Sequence, residues 1–106
     1  MFDALEVSHA VMDQLAVVEP KIRMRRKSLA DQIGRAAESV VLNLAEGRMR
    51  AGLDRADIFR RAAGSASELT AALRLCRSRR YITPEEHAAI DAGLDRVRAM
   101  LWQLTH

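Results

Sequence analysis

Between Ser28 and Gly47 the apolar residues recur every three to four positions, and this period constrains the fold more than any other feature. Projected at about 100° per residue, Leu29, Ala30, Ile33, Ala37, Val40, Val41 and Leu44 share one face. Ser28, with Asp31 three residues on, reads as the helix start, and Gly47 as the left-handed residue beyond its end. About 18 residues lie between them, roughly 27 Å of helix. Gln32, Arg35, Ser39, Leu42, Asn43 and Glu46 form a second stripe that mixes one Leu with short polar groups. Such a helix belongs at the centre of a bundle, covered by its own chain on one face and by an outside partner on the other.

Three more segments carry the same period. The first helix is expected from Asp3 to Val18, with Ala4, Val7, Val11, Leu15 and Val18 inward and Leu5 and Met12 on the flank. Glu6, His9 and Asp13 face the other way. Glu19-Pro20 is expected to stop this helix, because the residue before proline avoids helical backbone. Residues 21–27 then read as a short loop with five bases. After a second loop over 48–53, Asp54 is expected to cap the third helix. Its core face is Ile58, Ala62, Ala66, Leu69, Leu73 and Cys76, and Arg77, Arg79 and Arg80 complement the dipole at its end. Gly64 in mid-helix costs about 1 kcal/mol relative to Ala, which points to a closely approaching neighbour. Thr83-Pro84-Glu85-Glu86 combines a Thr cap, Pro at the first helical position and Glu at the third. Ile90, Leu94, Val97, Leu101 and Leu104 then line the inner side of the fourth helix.

At 106 residues the chain is one domain with room for a single core. Aromatics make up only 4%, and two prolines and five glycines leave few breaks. The expected fold is all-α: an antiparallel up-down-up-down four-helix bundle. A single cysteine makes no internal disulfide, and no apolar run approaches the ~18 residues of a bilayer span. With no signal-peptide pattern, a cytoplasmic protein without membrane contact is expected. The net charge of +3 conceals a polarised distribution. Residues 1–20 hold four acids and no base, 21–80 hold fifteen bases against six acids, and 81–106 hold four acids against two bases. Fifteen of the seventeen bases are Arg, whose planar fork suits phosphate.

Phe2-Asp3-Ala4-Leu5-Glu6-Val7, Gln32-Ile33-Gly34-Arg35-Ala36-Ala37-Glu38-Ser39, Asn43-Leu44-Ala45-Glu46-Gly47 and Gly64-Ser65-Ala66-Ser67-Glu68-Leu69 follow one another in a recognisable order. Together they resemble the bacterial four-helix-bundle family encoded within intervening sequences of 23S ribosomal RNA genes. That family is similar in fold to the accessory variability proteins of diversity-generating retroelements. The resemblance spans nearly the whole chain, and Asn-x-Ala-Glu-Gly is its most specific part. It implies a cytoplasmic bundle assembled into a ring of five, a homopentamer. In the retroelement relatives the ring is basic and binds a reverse transcriptase and nucleic acid. Ser8, Val41-Leu42 and Arg48 depart from the family pattern, where an aromatic, a proline and an aromatic are common. Those departures bear on a shared ligand rather than on the fold.

No enzymatic constellation emerges. Glu6-Val7-Ser8-His9 matches the Glu-x-x-His of di-iron bundles, but no second copy exists and Glu6 and His9 turn away from the apolar stripe. His87 and His106 also lack ligand spacing. Cys76 lies on a core face, where a free cysteine behaves as a small hydrophobe. No metal, cofactor or catalytic residue is expected. Asn43 and Glu46 are either ligand contacts or groups bonded to neighbouring backbone or a partner subunit. Leu42, Asn43, Glu46, Gly64, Ala71 and Leu75 are the candidate oligomer interface. In an up-down bundle, Lys21, Arg23, Arg25, Arg26 and Lys27 meet Arg77, Arg79 and Arg80 at one pole. These eight bases are the candidate contacts to RNA or DNA, with a solvated loop and dipole complement as the plain alternative. Phe2, Phe59, Tyr81 and Trp102 look scattered, without the aromatic interleaving of single-strand binders. The sequence thus favours a homo-oligomeric platform contacting nucleic acid or a nucleic-acid-processing protein. An adaptor for an acidic protein is the alternative, and a metal-dependent oxidase a distant third.

Overall fold

A computed structural model describes residues 3–106, so Phe2 of the first motif lies outside the described residues. Four helices account for most of it: α1 (Asp3–Arg25), α2 (Lys27–Arg48), α3 (Gly52–Ser78) and α4 (Pro84–Thr105). Each packs against its neighbour in sequence and α1 closes against α4, giving a four-helix bundle of 42 × 23 × 20 Å. There is no strand among the described residues. The inward residues expected from the period are buried on all four helices, with Met12, Val41 and Leu104 at the half-buried margin. Ser8 is buried and donates its hydroxyl to Leu5 O at 2.7 Å.

Facing residues run in opposite order along paired helices. On α1 and α4, a Cβ added to Gly93 would lie 2.9 Å from Val11, Gln14 Nε2 donates to Ala89 O at 3.3 Å, and Lys21 Nζ meets Glu86 Oε1 at 2.5 Å. On α2 and α3, Gly47 faces Phe59 and Ser39 Oγ lies 2.7 Å from Ser65 Oγ.

The structure corrects several local expectations. Proline does not end the first helix: α1 runs through Pro20 to Arg25. A proline inside a helix removes a hydrogen bond at a cost of about 3 kcal/mol. Continuing the helix, however, buries Ile22 one turn beyond Val18, at 1% exposure, and lets Arg23 reach both Glu19 and Asp31. The bases of 21–25 are therefore helical, and Arg26 alone links α1 to α2. Ser28 is consequently inside α2, whose cap is Arg26 with no side-chain bond.

Gly47 does not leave the helix either, and the α2 cap is Met49 with ordinary right-handed backbone. Glycine is needed there because an added Cβ would lie 2.5 Å from the ring of Phe59, itself 1% exposed. Asp54 is in the first turn of α3, whose cap is Ala51. Gly64 is exposed with nothing within 4 Å of an added Cβ, so no helix of this chain explains it. The fourth helix starts as expected: Glu86 N donates to Thr83 Oγ1 at 3.0 Å, and Thr83 N to Glu86 Oε1 at 2.8 Å.

Candidate functional site

Four of the eight candidate bases are brought together. Lys21 and Arg25 from the end of α1 and Arg77 and Arg80 from the end of α3 line one cleft of about 590 Å³. Met24, Tyr81, Ile82 and Pro84 supply its apolar surface. Arg26 and Lys27 sit at the adjoining start of α2. The eight bases are not equivalent. Lys21 is paired with Glu86, whose carboxyl is held below its ordinary range by the Lys21 ammonium and the Thr83 N–H. Arg23 is bonded to Glu19 and, at 2.9 Å, to Asp31, and these contacts raise its pKa. Among the described residues Arg25, Arg26, Lys27, Arg77, Arg79 and Arg80 make no ion pair.

Local electrostatics accounts for some of these and not for others. Arg77 and Arg79 stand at a helix C-terminus, where the macrodipole favours cations. Arg26 and Lys27 stand at the N-terminus of α2, where it disfavours them. That end has no acid in its first turn and no side-chain cap.

Between α3 and α4 the chain turns through a Schellman motif. Arg80 N donates to Arg77 O at 3.0 Å and Tyr81 N to Cys76 O at 2.9 Å. The turn requires left-handed backbone at residue 80, and Arg80 adopts φ 62, where glycine is the inexpensive occupant. Ile82, 3% exposed, pins the connection to the core. Tyr81 is half-buried, and Arg25 lies 5.2 Å above its ring centre. Sequence reasoning counted Tyr81 among scattered aromatics, yet it belongs to the basic cleft. Its signal was a helix stopping at Arg77-Ser78-Arg79 with no glycine or asparagine after it.

The other candidates divide differently. Asn43 is satisfied within its own chain, donating to Ser39 O at 2.8 Å and Ser39 Oγ at 3.0 Å, and Glu46 accepts from Arg50 at 3.3 Å. Leu42 is 67% exposed and Leu75 38%, and Ala71 and Gly64 are also exposed. Glu6 and His9 lie exposed on α1, His87 is buried, and His106 stacks on Trp102 at 3.5 Å. No three His, Cys, Asp or Glu side chains among the described residues are placed to hold a metal. Burial pushes the Cys76 thiol up to about 11, so it is protonated at neutral pH. No helix of the described residues is long and apolar enough to cross a membrane.

Comparison with known proteins closes the identification. The structure is similar to the crystal structure of a protein with unknown function from the S23 ribosomal protein family of Bacteroides thetaiotaomicron VPI-5482. The TM-score is 0.86, with 18% identity over 96% of this chain and 97% of that one. At that identity the likeness concerns the fold alone. No curated protein matches. The family model of the 23S rRNA-intervening sequence proteins matches residues 3–103, nearly the length of the chain. The chain belongs to the family of 23S rRNA-intervening sequence proteins.

Proposed function

We propose that this chain is a non-enzymatic, antiparallel up-down-up-down bundle that self-assembles and binds nucleic acid through phosphates at its cationic end. The observation that carries this reading is the group of six cations with no acid partner among the described residues, two of them at an uncapped helix N-terminus that disfavours positive charge. A phosphate backbone answers both needs at once. The opposite order of facing residues on α1–α4 and α2–α3 supports the antiparallel sense.

Self-assembly is supported by Leu42, Gly64, Ala71 and Leu75, which are exposed. Asn43 and Glu46 have partners within the chain and are the weaker members of that set. A ring of five, as the family resemblance implies, uses a head-to-tail contact, so two different surfaces of one subunit must match. It would gather five cationic ends into one positive field.

Fluorescence anisotropy with RNA and DNA at several salt concentrations tests the binding. Affinity independent of sequence and falling with salt, at a log–log slope of about −0.9 per duplex phosphate neutralised, is expected. Light scattering tests assembly: an oligomer is expected, weakened by Leu42→Glu, and a clean monomer near the chain mass of 11.8 kDa would rule the ring out. Absence of nucleic-acid binding together with a copurifying acidic protein would favour the adaptor reading.

A further inference from the structure

The cationic end is concave, and its shape narrows what it can hold. At about 590 Å³, the cleft falls in the range of small-ligand sites, roughly 300–1,000 Å³. A duplex presents phosphates on the outside of a wide cylinder and cannot enter such a cleft. An unstacked nucleotide can. Its lining also has two chemical halves. Lys21, Arg25, Arg77 and Arg80 supply positive charge, while Met24, Tyr81, Ile82 and Pro84 supply apolar and aromatic surface. A phosphate with an attached flat base matches both halves, whereas inorganic phosphate uses only the first.

Arg80 adds an independent indication. A non-glycine residue in left-handed backbone costs about 1–2 kcal/mol, and a Schellman turn accepts glycine there without that cost. Arg80 is the only non-glycine residue with positive φ among the described residues. Its backbone position places the guanidinium-bearing chain in the wall of the cleft, between Arg77 and Tyr81. Met24, at 88% exposure, leaves a long apolar side chain in solvent beside the same cleft.

We propose that the cleft between the end of α1 and the 79–83 connection is a single-strand site. In it one unpaired nucleotide places its phosphate among Arg25, Arg77 and Arg80 and its base against Tyr81 and Met24. This rests on the reading of the cationic end as a phosphate-binding surface and specifies the form of nucleic acid it takes. Strands with unpaired segments are preferred over continuous duplex of equal charge. Base identity matters little, because every base has a flat face that can stack on an aromatic ring.

The test compares the intact protein with Arg80→Gly and Tyr81→Leu, using a labelled oligouridylate of about 12 nucleotides and a duplex of the same length. Wild type is expected to bind the single strand more tightly than the duplex. Tyr81→Leu should weaken single-strand binding roughly ten-fold and duplex binding much less, as loss of one stacking contact would do. Arg80→Gly should weaken single-strand binding while raising the urea midpoint, so that reduced binding is not a sign of misfolding. If single strand and duplex bind alike and both variants affect them alike, the cleft proposal is overturned while the phosphate-binding reading stands. If neither probe binds wild type at about 50 mM salt, both fall.

Discussion

The two ends of the bundle carry similar numbers of arginines and use them in opposite ways. Around the α2–α3 turn, Arg50 bonds Glu46 at 3.3 Å and Arg61 bonds Asp57 at 3.2 Å. At the other end, Arg25, Arg77 and Arg80 line a cleft, and they, Arg26, Lys27 and Arg79 make no ion pair among the described residues. Exposed ion pairs add little stability, so the contrast is not one of strength. It is one of field: paired charges cancel at a distance, whereas unpaired ones sum.

The backbones differ in the same sense. The turn end uses glycine where packing demands it, at Gly47 beneath Phe59. The cationic end omits glycine where the turn would accept it, at Arg80 with φ 62. One end is arranged for packing, and the other keeps a charge at some cost in stability.

Three substitutions sharpen that contrast, and the largest effect belongs to the turn end. Gly47→Ala forces a Cβ against a buried aromatic ring and is expected to destabilise by about 1–3 kcal/mol, despite alanine's better helix propensity. An unchanged urea midpoint would mean that Phe59 moves freely, and the turn end would lose its claim to tight packing. At the cationic end the reverse exchange is expected to help. Arg80→Gly should stabilise by about 1 kcal/mol, read as a raised denaturation midpoint. A lowered midpoint would show that the Arg80 side chain holds the fold together.

The smallest effect is that of Glu86→Gln, which loosens the Lys21 pair and the cap of α4 by a few tenths of a kcal/mol. Because the folded state holds the Glu86 carboxyl below its ordinary range, its contribution is present above that range. It is lost as pH falls through the folded value. Wild type and Glu86→Gln should therefore differ near neutral pH and converge in acid. A difference that persisted in acid would assign the effect to something other than the charge of Glu86.

These contrasts also show what the chain discloses before it is folded. The core was legible because helical period is a property of one segment at a time: Ala62, Ala66, Leu69, Leu73 and Cys76 could be named without knowing their neighbours. Helix ends were less legible because their causes lie on other helices. Pro20 reads as a stop until Ile22 is seen to be buried, and Gly47 reads as a cap until Phe59 is seen beneath it. The site follows the same division. That bases from the ends of α1 and α3 come together was readable from charge and helix order, and Lys21, Arg25, Arg77 and Arg80 line one cleft. The cleft was not, because it depends on the left-handed turn at Arg80 and on Tyr81 folding back beneath Arg25. Nor could spacing tell Lys21, paired with Glu86 across the bundle, from its neighbours.

The central claim is that position, and not the number of arginines, makes one end of this protein a nucleic-acid surface. The most direct test compares two variants that each remove three positive charges. One combines Arg25→Ala, Arg26→Ala and Lys27→Ala, and the other combines Arg50→Ala, Arg55→Ala and Arg61→Ala. RNA affinity is measured as a function of salt for both and for wild type. The first variant is expected to bind all sequences more weakly and to flatten the log–log salt slope by about two to three. The second should keep the wild-type slope, since two of its three cations are already neutralised by acids. Equal losses in both variants, or no wild-type binding at about 50 mM salt, would contradict the account.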